Sequence, residues 1–140
     1  MAEYASAIVA LGIFGAKVLE SFLKFQSKWK DAPFDIRQLG NDLNAVQNTV
    51  QTLKTTCQNP ILDEKPIPDA VKENLMSSIS NCSELLHLIN KLTIDYGEVT
   101  TNRWVKMRWN LLGHSKAMRL GGLLSQQKQI LVMQMSVMAQ

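Results

Sequence analysis

Little in this sequence could staple a fold or run a reaction. Two cysteines, Cys57 and Cys82, stand in 140 residues, too few and too far apart for a disulfide framework or a metal-ligand motif. Each falls inside a helical pattern, which suits a buried free thiol in a reducing cytoplasm, and burial on an apolar stripe suppresses thiolate reactivity. Proline (4) and glycine (7) are sparse and clustered, so little of the chain reads as loop. Strand-like alternation is absent over any useful length, which argues against a sheet. There is no Gly-x-x-x-x-Gly-Lys-Ser/Thr loop, no Gly-x-Ser-x-Gly elbow and no His-Glu-x-x-His helix, so enzyme chemistry finds no foothold by those routes. Acid pairs such as Asp63-Glu64 read as ordinary surface charge. His87 and His114 have no Cys, Asp or second His at ligand spacing, so neither a metal nor a cofactor is expected. No basic run precedes the N-terminal apolar stretch, so it does not read as a signal peptide.

Acidic residues run out early. From Met1 to Glu98, nine Lys and Arg stand against all twelve acids; after Glu98, six Lys and Arg stand against none. The net charge of +3 therefore belongs to the C-terminal third. An end of one sign suits an anionic partner: phospholipid, nucleic acid or an acidic protein face.

What is present is a globular composition, 46% hydrophobic and 19% charged, long enough to bury a core without staples. The chain reads as one all-α domain over residues 1–140, an up-and-down bundle of four long helices plus one short helix, at the head of a longer protein. The first helix spans about Glu3 to Trp29, and Asp31-Ala32-Pro33 breaks it. The second runs from about Phe34 to Cys57. Its apolar stripe is Ile36, Leu39, Leu43, Val46, Val50 and Leu53; Asp35, Arg37, Asp42 and Gln47 are among its wet-face residues. Pro60, Pro66 and Pro68 deny helix to the stretch that follows. The third helix runs from near Asp69 to near Asp95 on a stripe of Val71, Leu75, Ile79, Cys82, Leu86, Ile89 and Leu92, and Gly97 breaks it. Thr100 or Thr101 can cap a short fourth helix carrying Trp104, Met107 and Trp109, with Gly113 as its stop. The last helix covers roughly Ser115 to Met138, and Gly121-Gly122 within it reads as a kink or a close helix–helix contact.

Two regions carry candidate function. The uncharged run Tyr4–Ala16 contains Ala7, Ile8, Val9, Leu11, Gly12, Ile13, Phe14 and Gly15. A transmembrane helix needs roughly 20 apolar residues, so this run is a core helix or an insertable one before it is an obligate span. The two readings are compatible, because a buried helix that is released becomes insertable. The second region holds Arg103, Lys106, Arg108, Lys116 and Arg119, with Trp104 and Trp109 interleaved. It reads as an anionic-lipid contact, or as a solvated face over two core tryptophans. Nucleic acid is not expected, since no helix-turn-helix, zinc or RNA-binding signature accompanies the charge. Met133, Met135 and Met138 read as core filler before an adaptable surface.

Two segments carry a family resemblance. Ala32-Pro33-Phe34-Asp35-Ile36, followed by Leu39, Leu43 and Val46, comes after a small-residue first helix. The later stretch from Arg103 to Leu131 carries a Trp-x-x-x-basic segment ahead of the last helix, with Trp109, Leu112, Lys116, Leu120, Leu124 and Leu131 as its matching positions. Together they resemble the HeLo-like domains found ahead of STAND (NLR-like) modules in fungi, over nearly the whole chain. That family is in turn similar to the HeLo domain of fungal heterokaryon-incompatibility proteins and to the four-helix bundles of necroptotic pseudokinases and some plant resistance proteins. The resemblance implies a cell-death execution domain of fungal innate immunity. It would be cytoplasmic at rest and multimerised by a downstream NTPase or amyloid-signalling region of the same chain. It would then move to the plasma membrane, where its first helix permeabilises the bilayer. The alternative is a protein–protein signalling or autoinhibitory adaptor without membrane activity.

Overall fold

Two prolines set helix starts. In the computed structural model, which describes residues 2–29, 32–58, 67–97 and 103–138, α1 spans Ala2–Lys28, α2 Phe34–Cys57 and α3 Asp69–Asp95. Pro33 and Pro68 cap α2 and α3 without any side-chain bond. Their carbonyls do the work: that of Pro33 accepts the N–H groups of Ile36 and Arg37, both at 3.1 Å, and that of Pro68 those of Val71 and Lys72. Proline is no handicap there, because a helix's first N–H groups have no partner within the helix. Asp35 and Asp69 stand in the first turns, where the helix dipole favours negative charge. Both helices have the bounds expected from the sequence. Within α2 the hydroxyls of Thr49, Thr52, Thr55 and Thr56 each donate to the carbonyl four residues back, which satisfies side chains that would otherwise compete for turns.

The C-terminal region departs from the expected helix–stop–helix. α4 (Arg103–Arg108), a π-helical turn (Trp109–Gly113) and α5 (His114–Met138) follow one another without a break. The His114 N–H reaches the Trp109 carbonyl, one residue beyond an α-helical partner, so the extra residue is absorbed as a π turn. Gly113 is a spacer and not a stop: a Cβ there would run into the Trp109 ring.

The described residues are an all-helical bundle. α1 packs on α2 and α3, and α5 packs on the same two helices. Gly12 of α1 faces Val50 and Gln51, while Gly40 of α2 faces Phe22 and Gln26, so α1 and α2 are antiparallel. Gly121 meets Leu39 and Asp42, and His114 meets Asp35, so α2 and α5 run the same way. The core is the α2 stripe of Ile36, Leu39, Leu43, Val46, Val50 and Leu53, all buried. It meets Ile8, Leu11, Val18 and Phe22 of α1, Leu75, Cys82 and Ile89 of α3, and Leu124 and Leu131 of α5. Val71, counted in the α3 stripe, is only half-buried. Asp35 is a correction in the other direction: expected on a wet face of α2, it is buried.

Candidate functional site

The apolar residues of α1 divide between core and surface. Ile8, Leu11, Gly12 and Gly15 are buried, Ala7, Val9 and Phe14 are half-buried, and Ile13 is 57% exposed. The two glycines seat α2 against the α1 backbone. Gln47 Nε2 donates to the Gly12 carbonyl at 2.8 Å. A Cβ on Gly15 would collide with the same Gln47 side chain, and one on Gly12 would sit 3.1 Å from Gln51 Nε2. Small residues here let two helices approach and let a glutamine bridge them. Phe14 packs on His87 of α3, ring centres 4.4 Å apart. Outward, Ser6, Ala10 and Ile13 continue into Lys17, Glu20 and Lys24, all exposed, with a Lys24–Glu20 ion pair at 3.3 Å. Among the described residues α1 is the one helix long and apolar enough to cross a membrane, over Tyr4–Lys28. At about 1.5 Å per residue, such a length exceeds the ~30 Å hydrocarbon core, although the uncharged run alone does not.

At the C-terminal end of α1 the chain assembles an aromatic cluster around one carboxylate. Trp109 is fully buried, and its Nε1 donates to Asp35 Oδ2 at 2.8 Å. His114 Nδ1 lies 3.0 Å from the same oxygen. Tyr96 meets the Trp109 ring edge-on at 5.0 Å, with Phe25 and Trp29 each 6.0 Å away. Two segments 74 residues apart, the turn after Pro33 and the π turn, are thus pinned to each other. For Trp109 this leaves the core reading and not an interfacial one. A first-turn acid is common in helices, so nothing in the sequence marked Asp35 as this partner.

The basic residues are only partly brought together. The side chains of Arg103 and Trp104 are not among those described. Lys106 is half-buried, and the Arg108 guanidinium stands 5.4 Å over the Tyr96 ring. Lys116 and Arg119 line one concavity together with Lys91 of α3, a residue the charge pattern did not single out. In the same stretch of sequence Leu111 is 71% exposed, and Met107 and Leu112 are also exposed. No family model, curated protein or solved structure matches this chain.

The remaining candidates are quieter. Burial pushes the Cys82 thiol up to about 11 and raises that of half-buried Cys57 as well. Among the described residues no group of three or more His, Cys, Asp or Glu could hold a metal ion. A groove of about 410 Å³ runs between Val71, Asn74, Ser77 and Asn81 of α3 and Gln127, Ile130, Met133 and Val137 of α5, with no charge in its lining. Of the three methionines read as core filler, Met138 is buried and Met135 half-buried, but Met133 is 67% exposed.

Proposed function

We propose that this chain is a HeLo-like execution domain: an up-and-down bundle at the head of a fungal STAND or NLR-like protein that permeabilises membranes through α1 after multimerisation. It rests in the cytoplasm and moves to the plasma membrane on activation. Its partners are anionic lipids, its own copies and a downstream NTPase or amyloid-signalling region. One observation carries this reading. The helix with the length and apolarity to span a bilayer turns an uncharged stripe outward over its first half. Releasing it costs the burial of Ile8, Leu11, Val18, Phe22 and Phe25, and a bilayer can return that burial.

The test is dye release from anionic liposomes, with the chain multimerised by a fused oligomeric tag. Ile13→Asp is the decisive variant, because Ile13 is exposed and the bundle tolerates a charge there. Asp in mid-membrane costs on the order of 3 kcal/mol, so release should fall to background while helical content stays unchanged. Gly12→Glu is a poorer choice, since Gly12 is buried against Gln51. Release that survives Ile13→Asp would sink the insertion of α1.

A second reading, an adaptor that docks a partner without touching lipid, is favoured by the uncharged groove with exposed Ile130, Met133 and Val137. An absence of both release and liposome binding by the wild-type multimer would select it.

A further inference from the structure

Three cations from two helices share one concavity where α3 and α5 run side by side. Lys91 comes from α3, and Lys116 and Arg119, one turn apart, come from α5. Leu92 and Leu120 are buried beneath them, and Leu88, 46% exposed, lies at the rim. The space measures about 140 Å³. Asp95 also lines it, one turn beyond Lys91, yet among the described residues none of these charges forms an ion pair. The pocket is therefore unbalanced twice over. Three positive charges face one negative charge, and a leucine side chain stands in water beside them. An oxyanion corrects the first imbalance. The planar fork of Arg119 can take two oxygens of a phosphate, while Lys91 and Lys116 act as point charges on the others. An alkyl chain laid over Leu88 corrects the second.

We propose that this pocket binds the headgroup of a single anionic phospholipid, its phosphate on Lys91, Lys116 and Arg119 and the start of an acyl chain over the exposed Leu88. The assignment deepens the membrane reading and rests on it for its setting, but it differs in kind from a diffuse basic face. It recruits Lys91, which lies outside the C-terminal run of positive charge. It also sits on the seam between α3 and α5, so an occupied pocket leaves α1 free to depart.

The test titrates the full chain with short-chain phosphatidic acid below its micelle concentration and, separately, with inorganic phosphate, followed by calorimetry. The lipid should bind saturably, one per chain, and at least about tenfold more tightly than phosphate, because only the lipid covers Leu88. Lys91→Gln and Arg119→Gln should each weaken lipid binding about fivefold or more. Both residues are exposed, so circular dichroism should be unchanged. Lys128→Gln, on the same helix but outside the pocket, should leave binding as it was. Phosphate binding as tightly as lipid would assign the pocket to the free anion and overturn the lipid. Equal losses in all three variants, or no binding of phosphatidic acid, would overturn the site. The membrane reading fails separately: saturable lipid binding with no dye release from the multimer removes execution and keeps the pocket, whereas release without saturable binding does the opposite.

Discussion

The two ends of this bundle are held by different means. At the end where α1 finishes, a buried carboxylate ties α2 to the π turn, and Phe25, Trp29, Tyr96 and Trp109 pack edge to face around it. At the end where α1 begins, Ala5, Ile8 and Val9 face Lys54, Cys57 and Gln58 across a small cavity, and the α3/α5 seam opens into the uncharged groove. The first end combines large apolar area with directed hydrogen bonds, which fix one geometry. The second is packed by Tyr4, Ile8, Leu53, Leu75 and Leu131, with a buried Gln134–Ser78 bond across the α3/α5 seam and the Gln47 bond nearer the helix midpoint. Local unfolding follows the more weakly held region, and without an indole–carboxylate tie the start of α1 is expected to open first, the segment that the proposed insertion would need.

The largest effect should come from striking the fixed end. Trp109→Ala removes a fully buried indole and leaves Asp35 buried with its other partner, His114, half exposed; we expect a loss of about 3–5 kcal/mol by denaturant titration. Met138→Ala, at the opposite end, should cost about 1–2 kcal/mol, because a site near a helix terminus relaxes easily. Equal losses would erase the contrast. Gln47→Ala acts between the two, deleting the bond to the Gly12 carbonyl and unseating Gly15. About 1 kcal/mol should go, and hydrogen exchange in the first half of α1 should quicken while the Trp109 region keeps its protection.

The two thiols report on the same contrast without disturbing it. Cys57 adjoins the cavity beneath the start of α1, whereas Cys82 is fully buried in mid-α3. Alkylation of Cys57 should therefore follow local opening and speed up in Gln47→Ala, while Cys82 should react only on global unfolding. The Cys82 shift also carries a pH signature. Its folded value of about 11 lies above the ordinary 9.0, so the buried neutral thiol contributes fully below pH 9 and is lost as pH rises from 9 through 11. Cys82→Ala should flatten that alkaline limb, and a limb unchanged in the variant would assign it to other groups.

The long helices were legible because their signals are local. Pro33 and Pro68 each precede an apolar stripe, and the bounds of α2 and α3 follow from that. What was hidden depended on partners distant in sequence. Asp35 has the spacing of a wet-face residue and becomes a core residue only because Trp109 and His114 arrive over it. Gly113 reads the same in sequence whether it stops a helix or makes room for an indole. Of the basic candidates, Lys116 and Arg119 were visible in the charge run, but Lys91 sits among acids on another helix and joins them only through the α3/α5 packing.

The smallest effect separates two adjacent glycines. A Cβ on Gly121 would lie 2.7 Å from Asp42 Oδ2, whereas one on Gly122 meets nothing within 4 Å. Burial holds the Asp42 carboxyl above its ordinary range, against the hydrogen bond from Gln38 and the charge of Lys128, so moving it aside sets a gain in hydration against the loss of that bond and that attraction. Gly122→Ala should thus gain about 0.5–1 kcal/mol from lost unfolded-state freedom, and Gly121→Ala should gain nothing or lose. A destabilised Gly122→Ala would mean that the outer face of α5 is not free. A stabilised one that also loses dye release would be more telling. No contact in the resting bundle asks for glycine at that position, so its use would have to belong to the opened state, in which α5 bends or packs where the resting bundle leaves it bare.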